Sequence, residues 1–209
     1  PPPYALREAT FSYIEGKTFV DYLFKRGNWT EVNKAYEDLP LSTKQILHPE
    51  KYLAGEVPLE VPPAPIGEAL GPEWRELRTN TLGEWTTYLL LAYGADLAAQ
   101  VDEETALEAS LGWAGDTYQV FYNDSSTETL LGAHWLWDSS GDASQFLQAM
   151  LFHLDQRFRG GKVEGAKGDC WEANLQATCI FRANRETLWL LAPNQSVLDT
   201  VLALYPTFR

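Results

Sequence analysis

The chain has 209 residues, 45% of them hydrophobic and 22% charged, a composition that suits a packed core and excludes a disordered tail. Sixteen basic residues against 29 acidic ones give a formal charge of −13, which repels phosphate backbones and anionic bilayers, so no nucleic acid is expected as a partner. No apolar run approaches the ~20 residues needed to cross a bilayer, and no membrane span is expected.

Pro1-Pro2-Pro3 lacks a charged region ahead of an apolar stretch, so it is not a signal peptide; without an initiator Met it reads as a processed or trimmed end. From Tyr4 to Gly27, Phe11, Ile14, Phe19, Val20, Leu23 and Phe24 recur near the helical period, and Gly27 is a natural stop. A second helix starts at Asn28-Trp29-Thr30, with Thr30 as cap and Val32, Ala35 and Tyr36 facing inward. After the break at Leu39-Pro40, Ser42 or Thr43 caps a short helix. That helix ends before His48-Pro49, because a residue preceding proline is pushed out of the α region.

Residues 54–81 hold an extended connector, rich in Pro and Gly as far as Pro72. Val57, Leu59, Val61 and Ile66 make it a strap across a surface, since a flexible linker would be more polar. Helical pattern returns from Leu82 to about Leu111 with a break near Gly94, and Gly112 to Asp116 reads as a sharp turn. Thr117–Tyr122 and Thr129–Trp137 then form a hairpin, with Leu131, Ala133, Trp135 and Trp137 on one face. Ala143, Phe146, Leu147, Met150, Leu151, Leu154 and Phe158 mark the clearest amphipathic helix, with Ser139, Ser140 or Asp142 as cap. Beyond the loop Gly160 to Gly168 come alternating residues from Trp171 to Arg182, a strand Thr187–Ala192, and a last helix capped by Asn194 or Ser196.

The expected fold is therefore α+β: an N-terminal helical region (1–53), the connector (54–81), helices (82–112) and a ββαββα antiparallel sheet layer (113–209) with both its helices on one face, all in one compact unit. Eight Trp and ten Tyr would fill the core, with a stacking surface for a ligand as the alternative.

Cys170 and Cys179 are the only cysteines. On one straight strand they would lie about 30 Å apart; a tight turn at Asn174-Leu175 would instead set them opposite each other within disulfide range. An even count suits an oxidising compartment, and a disulfide is expected over two unrelated thiols. His48, His134 and His153 share no ligand spacing, and no HExxH, CxxC, EF-hand, GxSxG or phosphate-loop pattern occurs, so neither a metal nor a cofactor is expected. His134 alternates away from the Trp135/Trp137 face, and His153 falls on the polar flank of its helix. Asp102-Glu103-Glu104 is explained by a helix start.

Phe11 to Val20, Gly27-Asn28-Trp29, Val32 to Tyr36 and Ser42 to Tyr52, which contains Leu47-His48-Pro49-Glu50-Lys51-Tyr52, resemble blocks of exported zincin-like proteins of bacteria and archaea. Leu82-Gly83-Glu84, Gly112 to Asp116, Trp137-Asp138 and Asp142-Ala143 resemble later blocks, so the likeness covers roughly residues 4–158. In that family an HExxH helix and a downstream Glu ligand precede the segment where this chain begins; here Lys44 also replaces the usual Glu. The resemblance implies the C-terminal portion of a metallopeptidase-like protein whose zinc segment is missing, located outside the cell, at its surface or in the periplasm. Its partner would be another protein or an upstream segment of the same precursor. If a catalytic half joined it, His48 or Tyr52 would line the cleft as an electrophilic group. Two alternatives stand beside this non-catalytic packing role: a stand-alone extracellular assembly subunit, and part of an active zinc peptidase.

Overall fold

In the computed structural model, which describes residues 2–164, 167–173 and 175–208, the chain runs through α1 (Pro3–Glu37), α2 (Thr43–Leu47), α3 (Pro49–Leu53), α4 (Ile66–Leu70), β1 (Trp74–Asn80), α5 (Gly83–Ala92), α6 (Glu103–Leu111), β2 (Trp113–Asn123), β3 (Glu128–Trp137), α7 (Ser140–Arg157), β4 (Lys162–Val163), β5 (Asp169–Ala173), β6 (Gln176–Ala183), β7 (Glu186–Ala192) and α8 (Gln195–Leu202). The strands form one seven-stranded sheet in the order β1-β2-β3-β7-β6-β5-β4, every pair antiparallel. The fold is α+β, a helical N-terminal part followed by an antiparallel sheet.

Helices cover both faces of that sheet. On one, Ala133, Trp135, Trp137, Trp171, Ile180 and Trp189 pack with α5, α6 and the apolar stripe of α7. On the other, Leu130, Phe181, Leu188 and Leu190 pack with Ile66 of α4 and with Leu198 and Val201 of α8. The expectation that both C-terminal helices share one face is corrected: α7 and α8 lie on opposite sides. Strands β6 and β7 are interior and buried on both faces, so alternation along them says nothing about exposure.

Six buried indoles lie in the first core: Trp113 bonds Asp116, Trp85 Nε1 has no hydrogen-bond partner among the described residues, and the other four are satisfied locally. Trp137 Nε1 donates to Thr187 Oγ1 at 2.9 Å, Trp189 to Thr178 at 2.8 Å, Trp135 to Thr87 at 3.1 Å and Trp171 to Asp155 at 3.0 Å. A buried aromatic truncated to Ala costs roughly 3–5 kcal/mol, which an unpaired N–H would erode.

The sheet is larger than the sequence suggests. Strand β1 arises inside the expected connector, β4 inside the loop after α7, and β2 begins at Trp113, where a sharp turn is expected; a register shift between Trp113 and Gly115 absorbs the bend. Residues 165 and 166 of that loop and Asn174 of the expected turn lie outside the described residues. Asp169–Ala173 and Gln176–Ala183 pair as a hairpin, with Cys170 opposite Cys179 and joined to it by a disulfide.

The stretch before α4 straps across β2 as its apolar pattern predicts. Leu59 N donates to Ala114 O at 2.7 Å, and the Gln119 amide clasps Ala64 by both its oxygen (3.0 Å) and its nitrogen (3.1 Å). A Cβ on Gly115 would stand 2.0 Å from Leu59 O, so only glycine lets the strap pass.

Helix α1 is bent where the sequence predicts a stop: Gly27 and Asn28 have non-helical backbone angles. Its apolar residues do not form one stripe. Phe19, Leu23 and Val32 are buried, whereas Ile14, Val20, Phe24 and Tyr36 face solvent.

Candidate functional site

Helices α2 and α3 wedge between α1, the start of α5 and the open end of the β2–β3 pair. Ser42 Oγ accepts from Gln45 N and starts α2. The Lys44 ammonium is buried, with Nζ 2.7 Å from Trp113 O, 2.7 Å from Asp138 Oδ2 and 3.1 Å from Glu56 Oε1. Burial works against its charge, and the bonds to Asp138 and Glu56 outweigh that, so its pKa is raised. Both acids are partly exposed, which moderates the Coulomb energy.

One strand further in, Asp116 holds the start of α5. Oδ1 accepts from Gly83 N at 2.9 Å and from Trp113 Nε1 at 2.7 Å, and Oδ2 accepts from Leu82 N at 2.8 Å. Burial pushes its pKa up, while these three donors and the positive end of α5 pull the other way. Gly83 sits at φ +76°, and a Cβ there would meet Thr43 Oγ1 at 2.6 Å.

His48 and Glu84 form the second half of this seam. His48 Nε2 donates to Glu84 Oε1 at 2.7 Å, and that bond raises the His48 pKa. Glu84 is buried, which raises its own pKa, and its Oε2 has no hydrogen-bond partner among the described residues. Tyr52, one turn beyond His48, points the other way: its ring packs edge-on against Phe19 of α1 at 5.2 Å, and its hydroxyl donates to Asp38 O at 2.7 Å. The two expected site residues are therefore not brought together in a cleft. His48 ties α2 and α3 to α5, and Tyr52 ties them to α1.

The other histidines are likewise committed. His134 lies on the α8 side of the sheet, bonded to Glu186 at 2.9 Å and edge-on to Tyr205 and Phe208; burial lowers its pKa. His153, expected on a polar flank, is buried, because the 3-10 turn Leu97–Ala99 packs over that flank of α7 and Ala99 O takes the ring's Nδ1–H at 2.8 Å. Asp102 caps α6 through Thr105 N, the helix-start role expected of it. Among the described residues no three His, Cys, Asp or Glu side chains come together as a metal site. No helix among the described residues is long and apolar enough to cross a membrane.

The seam's polar groups mostly bond one another, and α2 and α3 join α1 to the start of α5. On α1 the side turned from the body carries Leu6 (67% exposed), Tyr13 (78%), Val20 (37%) and Phe24 (40%), spaced seven, seven and four residues apart. Trp29 (65%) extends the row past the bend, edge-on to Phe24 at 5.2 Å. Sequence periodicity finds Val20 and Phe24 of this row but counts them as core, because nothing in one sequence separates two apolar stripes on one helix.

Residues 71–202 match the family model described as Domain of unknown function (DUF8575), a span that holds all seven strands and α5 to α8. No curated protein and no solved structure matches the chain. The seam straddles the edge of the matched span, with Lys44 and His48 on one side of it and Glu84, Trp113, Asp116 and Asp138 on the other.

Proposed function

For this chain, which belongs to the DUF8575 family, we propose a non-catalytic, exported role in which the outer face of α1 packs against another protein segment. The exposed row Leu6, Tyr13, Val20, Phe24 carries that reading. An apolar stripe at helical spacing is the form in which one helix offers itself to a second. Charge supports the same surface: α1 holds five basic and five acidic residues, so the whole −13 lies elsewhere on the chain. A second protein meets no net repulsion there. The Cys170–Cys179 disulfide supports an oxidising, extracellular or periplasmic setting. The likeness of the seam's blocks to exported zincin-like proteins supports a packing partner supplied by the same kind of precursor.

The test places a photo-crosslinking phenylalanine analogue at Tyr13 of the full-length protein in its own host, with Leu175, on the β5–β6 turn, as the control position. A discrete protein adduct is expected at Tyr13 alone and is lost when Leu6→Glu and Phe24→Glu are added. Equal adducts at both positions, or none at Tyr13, would overturn the proposal. So would stoichiometric zinc together with peptide-bond cleavage by the isolated chain.

A further inference from the structure

A groove of about 530 Å³ lies between the C-terminal half of α5 with the loop that follows it and the C-terminal half of α7. That size is ordinary for a small-molecule site. Its walls are apolar: Leu89 and Phe158 are buried, and Leu90 is half-buried. Two polar groups face it from successive turns of α7.

The first is His153, 3% exposed. Ala99 O can only accept, so the Nδ1 bonded to it at 2.8 Å carries the hydrogen. Burial lowers the ring's pKa, which keeps it neutral near pH 7 and leaves Nε2 as a bare acceptor. No described residue donates to that nitrogen. The second is Arg157, four residues on and therefore on the same side of α7. Its guanidinium lies 5.4 Å from the Phe158 ring centroid and has no hydrogen-bond or ion-pair partner among the described residues. The acid acting on it is Asp96, which also lines the groove and whose Oδ1 is engaged by Ala98 N at 3.1 Å. A solvent-exposed cation, a buried acceptor without a donor and an apolar wall are thus left together, and a ligand with the complementary groups engages all three.

We propose that this groove is a binding site for an N-acylated apolar amino acid, with its carboxylate on Arg157, its amide N–H on His153 Nε2 and its side chain against Leu89, Leu90 and Phe158. A carboxylate matches the guanidinium fork through paired hydrogen bonds. The N–H of such a ligand lies next to its carboxylate, as the acceptor and the cation lie one helical turn apart. Tyr4 of α1 also lines the groove, whereas Leu6, Tyr13, Val20 and Phe24 of the exposed row do not.

The test is calorimetric titration of the full chain at neutral pH with N-acetylphenylalanine, its primary amide, which lacks the carboxylate, and 3-phenylpropionate, which lacks the N–H. The acid is expected to bind about tenfold or more tightly than either analogue, the gap that one good charged hydrogen bond supplies. Arg157→Gln brings acid and amide to the same affinity. Thr86→Trp, on the half-buried groove side of α5, fills the space and abolishes binding while circular dichroism shows the fold intact; if that variant unfolds, Leu90→Trp takes its place. No binding by N-acetylphenylalanine, equal binding of acid and amide, equal binding of 3-phenylpropionate, or retained affinity in the folded groove-filling variant each overturns the proposal.

Discussion

Reducing the Cys170–Cys179 bond is expected to destabilise the protein by about 2.7 kcal/mol at 25 °C. The two residues are nine apart in sequence, so the bond closes a loop of about ten residues in the unfolded chain, for which chain-entropy arithmetic gives about 9 cal/mol/K. The folded side of the balance changes little. Both sulfurs are buried among Phe181, Leu188 and Leu190, where thiols pack as small apolar groups, and the flanking ladder from Asp169↔Ile180 to Ala173↔Gln176 holds the strands in register without the bond. For a chain of this length each kcal/mol moves the melting midpoint by about 2–4 °C, so reduction lowers it by about 5–10 °C. Thermal and urea unfolding of the oxidised protein, of the phosphine-reduced protein and of a Cys170→Ala/Cys179→Ala variant measure this directly. Reduced protein melting within a degree of the oxidised form would show that the unfolded chain is not loosened by losing the bond. A fall beyond about 15 °C with collapse of the near-ultraviolet signal would show that the native hairpin depends on it. Either outcome refutes the reasoning.

Rising pH is expected to cost stability on the alkaline side through the His48–Glu84 pair. The His48 pKa is raised by Glu84, so its contribution is complete below its ordinary value near 6.5 and disappears as pH climbs through the folded value. His134 and His153 act in the opposite sense: burial lowers their pKa, so stability is lost as pH falls below about 6.5. Urea midpoints from pH 5.5 to 9 should therefore decline above neutrality in the native protein and stay level there in His48→Gln/Glu84→Gln, with the acid side unchanged; an unaltered alkaline decline would exclude the pair as its source. Gly115→Ala is expected to cost about 1–3 kcal/mol, because the strap must lift from β2 to clear the new methyl group. Gly16→Ala, on a helix position with open space, is expected to stabilise by about 0.5–1 kcal/mol; calorimetric melting of the two variants checks the opposite signs.

Elements were legible in the sequence wherever one face had one environment. The stripe of α7, the Ser139 cap, the alternation of β3 and the bend at Gly27 follow from residues close to each other in the chain. Strand β1 was not legible because it is an edge: Arg75, Glu76, Arg78, Thr79 and Asn80 are exposed, and its register is interrupted between Glu76 and Arg78, so it carries no apolar period. The division of α7 and α8 between two faces was hidden for the opposite reason. In β6, Thr178 and Ile180 face one core while Ala177, Cys179 and Phe181 face the other, and a sequence buried on both sides looks the same whichever helix covers which side.

The seam lay deeper still, since the bonds that tie its helices to β2, β3 and α5 join residues 33 to 94 positions apart. Lys44 in isolation is a solvated lysine; it becomes a buried cation only because β2 and β3 end beside α2. The fold brings the blocks that hold Lys44, His48, Glu84, Trp113, Asp116 and Asp138 to one place. His48, which caps α3, and Tyr52 within it stand four residues apart, one bonded to the helix that opens the sheet layer and the other packed on the helix that carries the exposed apolar row. A helix of five residues has no room to flex between them, so the angle at which α1 presents Tyr13 and Phe24 is set by the His48–Glu84 bond and the Lys44 contacts behind it. Loosening the seam should then weaken any contact made by α1 without touching a residue on its outer face.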